Sequence, residues 1–179
     1  MSSASHSSHA YRPQLRESVV HFHTSFGWIA GTVHVPVHHA LLHFVNRQVD
    51  RTKYIDEGGH YLKVTQAQFH GQAKVVPFLA LRRDSVNLIL PSTTEENVAQ
   101  AEPVNYTPHM ATFLLPNVFV QGNLALPANI RMSDYLQANR GFLCIRQATI
   151  VLNEQGGRTQ HTSQALLLNT SQLIGVATE

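Results

Sequence analysis

The sequence predicts a mainly β protein with short helices: a tandem duplication of a small five-stranded barrel or bent sheet, with one short inserted helix per copy. Three observations predict it. An offset of 91 residues carries the stretch from Val19 to Asn46 onto a later stretch without a gap, matching Gly31 with Gly122 and Pro36 with Pro127. Apolar residues alternate with polar ones at the strand period of two in both stretches. The offset then falls to 81, where Tyr61-Leu62-Lys63-Val64 meets Phe142-Leu143-Cys144-Ile145. It becomes 87 where the run from Phe78 to Leu81 meets that from Ala165 to Leu168. The first copy therefore carries an insertion, residues 50–59. The organisation read from this is a disordered, Ser- and His-rich tail at 1–16, a β domain at 17–91, a polar Pro-flanked linker at 92–109, and a second β domain at 110–179.

The first strand is read from Val20, Phe22 and Thr24 alternating with His21, His23 and Ser25. In the second, Ile29, Gly31, Val33 and Val35 share a face whose counterparts are Val120, Gly122, Leu124 and Leu126. The opposite face changes between copies, from Trp28, Ala30, Thr32 and His34 to Phe119, Gln121, Asn123 and Ala125. The preserved face is therefore assigned to the core. Gly31 and Gly122 inside strands predict a bend or bulge. Pro36 and Pro127 end those strands. A helix follows in each copy, with Leu41, Phe44 and Val45, or Met132, Tyr135 and Leu136, spaced to form one buried stripe; Gly141 stands at the usual stop position of the second. Strands resume at YLKVTQAQF and FLCIRQATIVL. The last unit reads as a hairpin turning near Arg83-Asp84-Ser85, with a counterpart in ALLLNTSQLIGV. Gly58-Gly59 and Gly156-Gly157 read as hairpin turns.

Of the 179 residues 43% are hydrophobic and only 13% charged, against about 25% in an average domain. The surface this implies is uncharged, which suits contact with a partner. The formal charge of +2 is too small and too scattered to single out nucleic acid. One cysteine, Cys144 in an apolar run, excludes an internal disulfide and a Cys-based zinc site, and reads as a buried, inert thiol. No run approaches the roughly 18 apolar residues of a membrane span, and the opening residues lack a signal-like apolar stretch. The expected location is cytoplasmic.

The 12 histidines are the conspicuous signal of composition. His39 and His43, four apart on the expected first helix, could chelate a metal from one face, and His21, His23 and His34 could share a side of neighbouring strands. The second copy has Ile130 and Asp134 in place of His39 and His43, which argues against a site shared by both copies. Paired acids, Asp56-Glu57 and Glu95-Glu96, fall in the insertion and linker and read as solvated charge. No nucleophile elbow and no Gly-rich phosphate loop is present. Basic residues cluster weakly at Arg12-Arg16, Arg47-Arg51-Lys53 and Arg82-Arg83, and the last pair is the candidate phosphate contact.

Two resemblances follow from these residues. The stretch GNLALPANIRMSDYLQANRGFLCIRQATI resembles a widespread, uncharacterised bacterial domain family, through Gly122, Pro127, Arg131, Ser133, Asp134, Tyr135 and Leu136, with Gln137 where that family has Asn. The first copy keeps Gly31, Pro36, Phe44 and Asn46 but has Ala40, Leu42 and His43 in place of the Arg, Ser and Asp. This resemblance implies no known activity. The strand order and closing unit are also similar to Sm-like barrels, a family that forms rings and binds RNA. The Asp and Asn that hold a base in that family have no counterpart here, because a helix intervenes after Gly31.

The resulting expectation is a non-enzymatic protein-interaction or assembly module, without a cofactor, that binds a protein partner or itself. Sm-like RNA binding through Arg82 and Arg83 is the alternative. A histidine metal site at His39 and His43 is the second.

Overall fold

The computed structural model describes residues 14–47, 60–92, 98–99, 105–154 and 157–178. Ten strands and two short helices are arranged as one open antiparallel sheet. The first half contributes β1 (Leu15–Thr24), β2 (Gly27–Pro36), α1 (Leu41–Arg47), β3 (Tyr61–Phe69), β4 (Val75–Arg82) and β5 (Val86–Pro91). The second contributes β6 (Tyr106–Leu115), β7 (Val118–Pro127), α2 (Met132–Ala138), β8 (Phe142–Glu154), β9 (Gly157–Asn169) and β10 (Gly175–Thr178). The strand order is β10-β6-β7-β8-β9-β5-β1-β2-β3-β4.

Neither half closes into a barrel. β5 lies in the middle of the sheet, paired on one side with β1 and on the other with β9, so it is not available to β4. The expected closing hairpins are corrected in the same way. A 3-10 turn does fall at Arg83–Ser85, and another at Thr170–Gln172, but each sends the chain away to the first strand of its half: β5 to β1 and β10 to β6.

The face assignments follow the alternation. Ile29, Gly31, Val33 and Val35 are buried along β2 while their neighbours are half-exposed, and Val120, Gly122, Leu124 and Leu126 are buried along β7. Registers correspond between the halves. Leu15 to Pro36 and Tyr106 to Pro127 mark matching ends of the first pairings, and the β2·β3 register shifts across Gly31 as the β7·β8 register shifts across Gly122. Opposite these glycines Gln66 and Gln147 take positive φ, 51° and 49°. The bulge presses the next strand onto the glycine: a Cβ on Gly122 would lie 2.9 Å from the Arg146 carbonyl oxygen, and one on Gly31 would strike Val64 Cγ1.

The two apolar clusters are not confined to their own halves. Phe142, Ala165 and Leu167 of the second half are buried in the first cluster, beside Leu41, Val45, Leu62 and Ile89. Leu88 of the first half lies in the second cluster, and Trp28 and Leu90 pack against it. Burying apolar area is the main drive for folding, so each half completes the other's core. The boundaries differ from the sequence expectation in three places. β1 begins at Leu15, within the expected tail. β6 begins at Tyr106, within the expected linker. Val98 and Ala99, also assigned to the linker, are buried, Val98 in the first cluster. The insertion at 50–59, with Asp56-Glu57 and Gly58-Gly59, lies outside the described residues, as do Glu95-Glu96, Arg12 and Gly156. No described helix is long and apolar enough to cross a membrane.

Candidate interface: an internal strand junction and two open sheet edges

The halves meet where β5 pairs with β9, with Leu88 opposite Leu168 and Ile89 opposite Leu167. Successive positions of both strands are buried, from Val86 to Ile89 and from Ala165 to Leu168, and all are apolar except Asn87. A strand buried on both faces reads as a near-continuous apolar run, as β9 does from Ala165 to Leu168 and β5 does apart from Asn87.

Polar side chains latch the junction. Asn46, at the end of α1, donates from Nδ2 to the Phe142 carbonyl oxygen at 2.8 Å and accepts from the Phe142 amide at 2.9 Å, so one side chain completes a backbone pairing across the halves. Arg83 Nη2 donates to the same Asn46 Oδ1 at 3.3 Å, and the guanidinium carbon lies 5.4 Å from the Phe142 ring centre. Asn169 Nδ2 donates to the carbonyl oxygens of Val86, at 2.9 Å, and Arg83, at 3.3 Å. Gln172 Nε2 donates to the Asp84 carbonyl oxygen, joining the two 3-10 turns. Gly141 has φ +115°, and a Cβ there would lie 2.7 Å from both Arg83 Nη2 and Asn46 Oδ1. The glycine expected to stop α2 thus serves chiefly to let the halves approach.

The sequence-predicted site residues are distributed differently from expectation. Arg83 is buried in this latch, and burial pushes its guanidinium below the usual arginine range while Asp84 pulls the other way. It cannot present a fork to phosphate. Arg82 is exposed and lies 3.8 Å from Asp84. His39 and His43 are brought together, ring centres 5.1 Å apart, although His39 stands in the turn before α1 and not on the helix. Among the described residues no group of three or more His, Cys, Asp or Glu could hold a metal ion. By register His21, His23 and His34 stand on one side of β1 and β2, but His23 is not exposed there. It is buried, edge-on to Trp28 at 4.9 Å, with Nδ1 3.2 Å from Asn87 Nδ2. Ser133 and Asp134 are exposed in the first turn of α2, hydrogen-bonded to each other at 3.3 Å. Cys144 is half-buried against the first cluster. A shallow polar hollow of about 350 Å³ lies over the β8 bulge, lined by Gln147, Ala148, Thr149, Thr162, Ser163 and Gln164, and holds no titratable group.

Sequence reasoning missed the latch, in which Asn46 and Asn169 hold Phe142, Arg83 and Val86. The readable signal was divergence at matched positions, where Asn46, Asn169 and Phe142 stand against Gln137, Arg82 and Tyr61.

The other feature is what the sheet leaves open. Among the described residues, no strand pairs with the outer edge of β4 or of β10. Both edges carry exposed apolar side chains: Val75 and Phe78 on β4, and Ile174, 71% exposed, immediately before β10. Compared with family models, with curated proteins and with solved structures, the chain matches none.

Proposed function

We propose that the chain is a non-enzymatic assembly module: a tandem duplication of one five-stranded unit that associates with other protein chains through its sheet edges. The observation that carries this reading is the pair of open edges, β4 and β10, flanked by exposed apolar residues. An unpaired strand edge is a template for further pairing, and natural proteins ordinarily blunt it with charge, proline or a covering element. Here β10 carries neither charge nor proline, and β4 carries Pro77 towards its start and one ionisable side chain, Arg82 at its end, which leaves Phe78–Leu81 free of both. Main-chain pairing along such an edge provides affinity, and apolar pockets provide selectivity. Matching registers, bulges and close-packed glycines in the two halves support the duplication.

Native mass spectrometry of the untagged chain tests the reading. A stable multimer, or a complex with a second protein, is the expected result. A monomer that recovers no specific partner would remove it.

A further inference from the structure

The internal junction supplies a template for what fills the open edges. Under the offsets that relate the halves, every component of the junction has a counterpart towards one end of the sheet. β5 corresponds to β10, β9 to β4, α1 to α2, and the Phe142 end of β8 to the Tyr61 end of β3. At the junction these components are covered; at the sheet ends they are more exposed. Leu41 and Val45 of α1 are buried, whereas α2 buries no residue at all and its stripe of Met132, Tyr135 and Leu136 is only half-buried. Phe142 is 1% exposed and its counterpart Tyr61 is 47% exposed. Asn87 is 3% exposed and its counterpart Ile174 is 71% exposed. Leu167 is buried and its counterpart Ala80 exposed. Among the described residues the difference in burial at matched positions has one geometric cause: the neighbour that covers the junction has no counterpart at either end of the sheet. The two ends are complementary to each other, because one carries the β5-like surface and the other the β9-like surface.

Resting on the assembly reading above, we infer that the partner is a second copy of this chain. It joins head to tail, with β10 of one chain pairing antiparallel to β4 of the next. The junction fixes the register. Leu88 opposite Leu168 and Ile89 opposite Leu167 translate into Gly175 opposite the partner's Leu81 and Val176 opposite the partner's Ala80. In the same arrangement α2 covers the start of the next chain's β3, and Gln137 takes the place of Asn46 beside Tyr61. The longer Gln and the exposed Tyr there replace the Asn and Phe of the internal latch. The contact is heterologous, so each chain uses one edge as donor and the other as acceptor, and every edge is filled when the array closes into a ring.

Disulfide trapping tests the register. Opposed residues of antiparallel strands have Cα atoms about 4.5–5.5 Å apart, within disulfide reach. In a Cys144→Ala background, chains carrying Ala80→Cys are mixed with chains carrying Val176→Cys and oxidised. The expected product is the mixed dimer, with neither single variant forming a disulfide dimer alone. The neighbouring pair, Leu79→Cys with Ala177→Cys, gives the same reading should the first variants fail to fold. Dimers of one variant with itself would mean edges paired like to like and would overturn the head-to-tail register. A multimer that traps neither mixed pair would overturn the inference while leaving the assembly reading standing. A monomeric chain would overturn the inference, and one that also recovers no partner protein would overturn both.

Discussion

Asn46 and Arg83 meet at one oxygen, but the structure gives them unequal weight. Asn46 Oδ1 and Nδ2 satisfy both the amide and the carbonyl of Phe142, so truncation leaves two backbone groups at the junction without partners. Each such group costs about 1–3 kcal/mol. Arg83 makes one long hydrogen bond through Nη2, its Nε is buried without a partner, and its charge is taken out of water. An apolar side chain of similar length removes that desolvation cost while keeping the packing on Phe142. Asn46→Ala is therefore expected to destabilise the chain by about 2–4 kcal/mol, and Arg83→Met to change it by less than about 1.5 kcal/mol, both measured by urea unfolding. Equal losses would mean that the guanidinium holds the junction. These roles were not legible in advance. An Arg-Arg pair in a turn has the composition of a solvated surface, and an Asn at a helix end reads as a cap. What makes them a latch is contact between residues 96 positions apart, which no local pattern encodes.

At the level of elements, strands were legible where periodicity is local. The alternation along β1, β2 and β7 placed the core faces, and the paired glycines marked the bulges, because side-chain direction follows from the pleat alone. Strand partnership was not legible. A run, a turn and a second run look alike whether the strands pair with each other or diverge, and β4 and β5 diverge. The buried runs of β5 and β9 did carry a trace of this, since a strand apolar on both faces needs cover on both. By the same logic the exposed residues near the open edges carry the function. Ile174→Lys places a charge beside β10 at a position that touches little within the chain. It is expected to leave far-UV circular dichroism unchanged and intrachain stability within about 0.5 kcal/mol, while abolishing the multimer in light scattering. A multimer that survives Ile174→Lys and Phe78→Lys together would remove the edges from the account.

For the whole molecule, the exchange of core residues makes the two units one folding body. Leu167 lies in the first cluster though it belongs to the second half, and Leu88 does the reverse. Truncating Leu167 to Ala is expected to cost about 2–5 kcal/mol. It should shift the unfolding of both halves together. Trp28, the single tryptophan, reports the first half and packs on the second cluster, while far-UV circular dichroism reports the whole sheet. The two transitions are expected to coincide in the native protein and in Leu167→Ala. A biphasic transition would mean that the halves fold independently and that the shared cores are incidental.

The central claim is that the outer strands of this sheet are filled by neighbouring chains, and amide hydrogen exchange on β4 and β10 tests it most directly. The outward-pointing amides of an edge strand exchange fast when the edge is bare and only through opening of the assembly when it is paired, whereas the inward-pointing ones are held by β3 or β6 in either case. The account predicts protection of the outward-pointing amides within residues 78–81 and 175–178 in the untagged protein, lost in Ile174→Lys while β1 and β8 stay protected. Fast exchange at β4 and β10 in the untagged protein, equal to that in the variant, would contradict it.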